Sequence, residues 1–220
     1  MLAGGGDDPA SYSWQESFTQ RLEALLHHIE HHTINKSDGG DSPDRLAIRN
    51  LAAELPYTDI RRYLARAIAS FLFDDAEVPS LVSFTAGESD VRVSIPKPSS
   101  ASLSGVTSPT LASCKGATVI SFLPNLTYAL WADPLLESFF LPPGPSDALM
   151  EGYLGAGGAR LMVFPRQRTK RLWYTLYLAL VILREWDGTS CAGEDGNEKI
   201  KWAVEVSRKC VEALKDAPCY

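Results

Sequence analysis

The sequence lacks three features that would place it in a specialised class: a cysteine framework, a long apolar run and an excess of positive charge. Its four cysteines show no Cys-x-x-Cys spacing, so we expect reduced thiols rather than disulfides. The longest apolar run, residues 172–183, is shorter than the about twenty residues that cross a bilayer. Residues 1–9 carry no apolar segment of the secretory type. We therefore expect a cytoplasmic protein without membrane contact.

Acidic residues outnumber basic ones, with 27 Asp and Glu against 21 Lys and Arg, a net charge of −6 and an isoelectric point near 5.2. That balance disfavours nucleic acid as a partner, since nucleic-acid-binding domains usually carry a basic stripe. The 220 residues, 45% of them hydrophobic, are sufficient for one domain with its own core. Composition by itself indicates no activity.

Hydrophobic periodicity divides the chain into a helical beginning, a strand-containing middle and a helical end. The pattern predicts helices at 14–34, 44–55, 58–73, 135–140, 147–154, 168–186 and 198–216. It predicts strands at 81–84, 91–95 and 118–122, and an irregular stretch at 124–134. Residues 1–13 are expected to be disordered, and the Ser/Pro-rich stretch 96–114 to be a mobile loop. The expected class is α+β, mostly helical with a few short strands, in a single domain over residues 14–220.

Two segments of the middle region carry the most specific motifs. Residues 81–93 read Leu-Val-Ser-Phe-Thr-Ala-Gly-Glu-Ser-Asp-Val-Arg-Val, and residues 124–137 read Pro-Asn-Leu-Thr-Tyr-Ala-Leu-Trp-Ala-Asp-Pro-Leu-Leu-Glu. They resemble the catalytic loop and the following signature of the C-terminal lobe of aminoglycoside phosphotransferase and choline-kinase-like enzymes. The resemblance extends over about residues 14 to 215 and implies a kinase-like C-lobe.

The chain departs from that family at the positions that its chemistry needs. Thr85 stands at the position of the catalytic Asp, Asn125 at that of the metal-binding Asp, and Asp90 at that of the metal-binding Asn. A threonine cannot accept a proton near neutral pH, and Mg²⁺ bound at phosphates needs carboxylate oxygens. Few residues precede the first predicted helix, so we expect no N-lobe with its glycine-rich phosphate loop. The resemblance therefore implies a degenerate pseudokinase without ATP-dependent kinase activity, metal or cofactor.

The resemblance to the family's motifs also predicts a cleft that contains one carboxylate and several neutral groups. Asp90 is the catalytic candidate, because a carboxylate shielded from water can exchange protons near neutral pH. The expected substrate-binding residues around it are Ser83, Thr85, Asn125, Tyr128 and Trp131. The alternative role for Asp90 is to cap the turn into the strand at 91–95. Such a site suits a neutral organic molecule better than a polyphosphate.

All four histidines fall in the segment His27-His28-Ile-Glu-His31-His32. The pairs at i, i+4 have a spacing that can bind Zn²⁺ or Ni²⁺. With the apolar stripe of the helix turned inward, His27 and His31 are predicted to face solvent, and His32 to lie at the edge of that stripe. A solvated cluster, a pocket-facing His32 that acts as acid or base, and a metal site all remain open.

Further acidic, aromatic and basic residues have two interpretations each. Asp133 either orders the catalytic loop, as the resemblance implies, or caps a short helix ahead of Pro134. Glu137 and Glu151 either line the cleft, with Tyr153 beside Glu151 as a further substrate contact, or lie on the surface. The only dense basic run is predicted to be a solvated turn, with anion binding as the alternative; it comprises Arg166, Arg168, Lys170 and Arg171.

Two functions follow from these residues. The first is a repurposed phosphotransferase-like protein that binds a small organic molecule and performs metal-free acid/base chemistry of the isomerase, cyclase or dehydratase type, with Asp90, His32 and Glu137 as candidate catalytic groups. The second is a non-catalytic pseudokinase remnant that serves as a binding or scaffold protein. In either case the surface that an N-lobe would cover predicts a homodimer or a partner chain over the cleft.

Overall fold

The fold is mostly helical, with two small antiparallel sheets, so the predicted α+β class is confirmed. The computed structural model describes residues 13–33, 49–50, 52–76, 80–83, 91–94, 119–122, 129–137, 141, 144–157, 164–188 and 194–219. The predicted loop at 96–114 and residues 1–12 of the predicted disordered terminus lie outside these residues. None of the helices in the described part of the chain is long and apolar enough to span a bilayer.

Five α-helices form the body of the described chain. They are α1 (Trp14–His28), α2 (Tyr57–Ala69), α3 (Asp147–Gly155), α4 (Pro165–Gly188) and α5 (Glu194–Lys215). A π-helical turn, Ile29–Thr33, continues α1, and residues 49–50 and 52–53 are also helical. The helices predicted at 14–34, 58–73, 147–154, 168–186 and 198–216 are found, although α2 ends at Ala69 and α4 and α5 each start a few residues earlier than predicted.

Capping interactions explain where the helices begin and end. Ser13 was assigned to the disordered terminus, but its side chain accepts a hydrogen bond from the backbone N–H of Glu16 and caps α1. Ser146 caps α3 in the same way, through the N–H of Leu149. At the C-terminal end of α5, the Arg66 guanidinium donates to the carbonyls of Leu214 and Lys215. A cation at these unpaired carbonyls joins α2 to the end of α5.

Two ribbons of two strands make up the β structure. Strand β1 (Ser80–Ser83) pairs with β4 (Ala129–Ala132), and β2 (Val91–Ser94) pairs with β3 (Val119–Phe122). The prediction of an irregular stretch at 124–134 was wrong at β4. The helix predicted at 135–140 is, in its described part, a 3-10 turn of three residues, Pro134–Leu136. Asp133 starts this turn, and Glu137 follows it.

One continuous hydrophobic cluster joins α1, α2, α4, α5 and the β1–β4 ribbon. Phe18 of α1 contacts Phe73, Tyr174 and Tyr177, with ring centroids 4.7–5.6 Å apart. Trp173 and Tyr174 are completely buried on α4. Aromatic pairs at such distances add to the free energy gained by burying their area. Helix α4 is therefore the central element of the core, and the polar groups on its buried face are enclosed by protein.

Candidate functional site

Asp133 lies at the junction of β4 and α4 and is 3% exposed. Its Oδ1 accepts a hydrogen bond from the backbone N–H of Leu135 at 2.9 Å, which caps the 3-10 turn. Its Oδ2 accepts one from the Tyr174 hydroxyl at 2.8 Å, and that hydroxyl accepts one from the indole Nε1 of Trp14 at 2.8 Å. Helix α1, helix α4 and the 3-10 turn are thus joined through the Asp133 carboxylate. The capping role of Asp133, one of the two predicted alternatives, is confirmed.

Lys170 supplies the charge that balances this buried carboxylate. Its side chain is 3% exposed, and its Nζ contacts Asp133 Oδ2 and, at 2.5 Å, Asp75 Oδ1. Asp75 also pairs with the Nε of Arg166 at 3.3 Å. A buried charge is tolerated when it is paired and hydrogen-bonded. We name Asp75, Asp133, Lys170, Tyr174 and Trp14 the buried charge cluster.

This cluster corrects one sequence prediction. The run from Arg166 to Arg171 was predicted to be a solvated turn, but it forms the first turns of α4, and Lys170 is buried. Lys170 lies one helical turn before Tyr174, and this i, i+4 spacing placed it on the buried face. Burial, and secondly the negative charge of Asp133, raise the pKa of the Tyr174 phenol well above its usual value. The phenol therefore remains a donor, and the cluster is a structural unit.

The outer face of the β1–β4 ribbon is different in character. Leu81 and Trp131 are direct cross-strand partners and are 59% and 67% exposed. Their strand neighbour Val82 points the opposite way and is 2% exposed, as the alternation of side chains along a strand requires. This exposed apolar pair makes the outer face of the ribbon a candidate contact surface for a ligand or a partner.

Ser83 and Glu137 add polar groups beside that apolar pair. Ser83 is two residues from Leu81, so its side chain lies on the same face of the strand. Glu137 Oε2 accepts a hydrogen bond from the backbone N–H of Ser83 at 2.9 Å. Among the described residues, the Ser83 Oγ is buried and has no hydrogen-bond partner. We name Leu81, Ser83, Trp131 and Glu137 the ribbon site.

Of the expected site residues, Ser83 and Glu137 are joined by a hydrogen bond, and Trp131 lies on the strand that pairs with the strand of Ser83. Glu151 is exposed and Tyr153 is half-buried on α3. The backbone of His32 belongs to the π-helical turn, but its side chain lies outside the described part of the structure. Thr85, Asp90, Asn125 and Tyr128 also lie outside the described residues, so their assignments remain predictions.

The histidine segment confirms the prediction for two of its members. His27 and His31 are both exposed, and their ring centroids are 4.4 Å apart. His28 is half-buried. In the described part of the chain, no group of three or more His, Cys, Asp or Glu side chains is placed to hold a metal ion.

Sequence reasoning missed Asp75 and did not connect Lys170 with Asp133. Asp75 follows α2 by a few residues and is distant in sequence from both partners. The signal that was present is the position of Lys170 on the same helix face as Tyr174, since a lysine on a buried face needs a carboxylate nearby. No pattern in the sequence indicates which carboxylate that is.

Comparisons with protein-family models, with curated proteins and with solved structures find no significant match to this chain.

Proposed function

We propose that the chain binds a small organic molecule at the ribbon site and performs acid/base chemistry on it with a carboxylate there. The observation that carries this proposal is the hydrogen bond that holds the Glu137 carboxylate at the backbone of Ser83, in the strand that pairs Leu81 with the exposed Trp131. Binding sites for small molecules combine an apolar surface with a few placed polar groups. The ribbon site has that composition.

Each residue of the ribbon site has a distinct role in this proposal. The indole of Trp131 and the side chain of Leu81 provide a flat apolar surface for a ring of the ligand. The Glu137 carboxylate accepts a hydrogen bond from a hydroxyl or amine of the ligand and exchanges the proton. Isomerisation, cyclisation and dehydration need such a positioned base and orientation of the substrate. This is the repurposed phosphotransferase-like function that the resemblance implies.

A second function, that of a non-catalytic binding protein, is favoured by the exposure of Leu81 and Trp131. Exposed tryptophan is enriched at protein–protein contacts, where it fills a pocket of the partner. In that case the ribbon site would be covered by a partner chain or a second copy, and Glu137 would have no chemical role.

Ligand-observed NMR with a library of cyclic and aromatic alcohols tests the first function. We expect hits with the wild-type chain that are lost in Trp131→Ala and weakened in Glu137→Gln. Phe164→Ala and Glu151→Gln are the matched controls, because Phe164 is similarly exposed at 56% and Glu151 is an exposed carboxylate on α3. Equal loss of hits in Phe164→Ala would contradict the proposal, whereas an absence of hits combined with a dimer in light scattering would favour the second function.

A further inference from the structure

His27 and His31 are separate from the ribbon site and carry an inference of their own. His27 is in the last turn of α1, and His31 is in the π-helical turn that follows. Both side chains are exposed, and their imidazole rings contact each other at a centroid distance of 4.4 Å with an interplanar angle of 37°. The two rings therefore share one face of the helix and are open to solvent.

The ring distance fits a particular coordination geometry. Metal–nitrogen bonds to histidine are about 2.0–2.1 Å long, so two imidazoles bound at about 90° to each other on one ion have centroids about 4.5 Å apart. A tetrahedral angle would separate them by about 5 Å. The observed 4.4 Å is close to the first of these two separations, which applies when one nitrogen of each ring points at the ion. Square-planar and tetragonal geometry with nitrogen and oxygen ligands is characteristic of Cu²⁺ and Ni²⁺.

We propose that His27 and His31 form a binding site for one divalent late transition-metal ion of tetragonal preference, Cu²⁺ or Ni²⁺. The two imidazole nitrogens supply adjacent ligands, and water fills the other positions. The neighbouring acids are engaged elsewhere, because Glu23 and Glu30 both pair with Arg61, at 3.2 and 2.8 Å. The site thus has two protein ligands and exchanges its ion readily.

The two imidazole ligands determine the order of affinity expected for different metal ions. Imidazole binds Cu²⁺ more tightly than Ni²⁺ or Zn²⁺, in the order common to nitrogen ligands, and hardly binds Mg²⁺ or Ca²⁺. Because both rings are already in contact in the folded helix, little order is lost when the ion binds. An ion that joins two successive turns of the helix also stabilises the end of α1.

Calorimetric titration of the full, tag-free chain with NiCl₂ tests the site. We expect one Ni²⁺ per chain in the wild type and at least a tenfold loss of affinity in the double variant His27→Gln/His31→Gln. The matched control is His28→Gln/His32→Gln, which removes the same number of histidines at the same spacing and is expected to stay within about threefold of the wild type. Circular dichroism checks that both variants keep their helices.

Copper electron paramagnetic resonance provides a second readout that does not depend on affinity. We expect two nitrogen ligands on Cu²⁺ in the wild type and one in each of the single variants, His27→Gln and His31→Gln. These single variants also replace the double variant if it does not fold. Unchanged nickel affinity in His27→Gln/His31→Gln, an equal loss in the control, or the same nitrogen count in all variants would overturn the proposal.

Discussion

Lys170 and Glu137 are two charged residues near the β1–β4 ribbon that have very different surroundings. Lys170 is almost completely buried and contacts two carboxylates, one of them also buried. Glu137 is half-buried and holds the backbone of Ser83 beside two exposed apolar side chains. In the first arrangement the charges of Lys170 and Asp133 are paired inside the protein. In the second, the Trp131 indole lies in water, and the Ser83 Oγ has no hydrogen-bond partner among the described residues.

The same contrast in burial is found between two carboxylates that follow β4 in the sequence. Asp133 and Glu137 lie four residues apart, at the two ends of the 3-10 turn. Asp133 is buried and contacts Leu135, Tyr174 and Lys170. Position relative to the core, rather than residue type, therefore decides how deeply each carboxylate is buried.

The largest expected effect comes from removing the cation of the buried charge cluster. Lys170→Met leaves Asp133 buried without its charge partner, and we expect the free energy of unfolding to fall by about 3–5 kcal/mol. Lys209→Met is the matched control, because Lys209 pairs with Glu205 on the surface and such pairs contribute about 0–1 kcal/mol. Urea unfolding measures both. A loss below about 1 kcal/mol in Lys170→Met would show that the cluster is not a structural unit.

The next effect concerns the proposed chemistry of the ribbon site. With a substrate identified from the library, Glu137→Gln keeps the shape of the side chain but removes the base. We expect kcat/KM to fall about 10²-fold or more while the free energy of unfolding changes little. Asp90→Asn, tested in parallel, shows whether the carboxylate expected from the sequence acts instead. Full turnover in Glu137→Gln with loss in Asp90→Asn would move the base to the catalytic-loop segment.

A third prediction follows from buried groups that keep their protons. Burial raises the pKa of the Tyr174 and Tyr177 phenols, and raises the pKa of the Cys210 thiol to about 12. The unfolded chain releases these protons at lower pH, near pH 10 for tyrosine. Stability is therefore complete below about pH 8, because the unfolded cysteine loses its proton near pH 8.5, and it falls as the pH rises, by about 1.4 kcal/mol per pH unit for each group above its unfolded pKa.

Urea unfolding between pH 8 and pH 11.5 measures this decline. In Tyr174→Phe we expect lower stability at neutral pH, since two hydrogen bonds are lost, but a decline that is shallower by about 1.4 kcal/mol per pH unit above pH 10.5. Cys210→Ala is expected to make the decline shallower in the same sense. If the free energy of unfolding declined with pH at the same slope in the wild type and in both variants, the raised pKa values of Tyr174 and Cys210 would be contradicted.

The smallest expected effect is that of nucleotide. If Thr85 and Asn125 stand at the positions of the two kinase aspartates, as the predicted resemblance implies, ATP with Mg²⁺ will leave the melting temperature unchanged. A ligand at about 100 times its Kd would raise the free energy of unfolding by about 2.7 kcal/mol. A clear ATP-dependent shift that also requires Mg²⁺ would show that the remaining carboxylate is sufficient to hold the metal.

Much of the helical framework was predictable from the sequence, because the apolar residues of α1, α2 and α5 recur at helical spacing. Strand β4 was not, since Ala129–Ala132 is short and is followed by Asp-Pro, a combination typical of turns. The burial of Lys170 was missed because a dense basic run usually faces water. Its partner Asp75 is close only in the folded chain.

The ribbon site was predictable in part. Ser83, Trp131 and Glu137 were singled out from the resemblance, but their meeting depends on the pairing of β1 with β4, which hydrophobic patterns do not determine for strands of four residues. The exposure of Trp131 had no sequence signal, since most aromatic residues of the second half were expected in the core and Trp173, Tyr174 and Tyr177 are indeed buried there.

The most direct test of the account is a map of amide chemical shifts by ¹⁵N NMR with a library hit added to the wild-type chain. We predict that the shifts concentrate on residues 80–83 and 129–137 and on the indole N–H of Trp131, and that the amides of residues 166–175 stay unchanged. Shifts centred on the first turns of α4 instead would contradict the account, because they would make the buried charge cluster, rather than the ribbon site, the place where this protein acts.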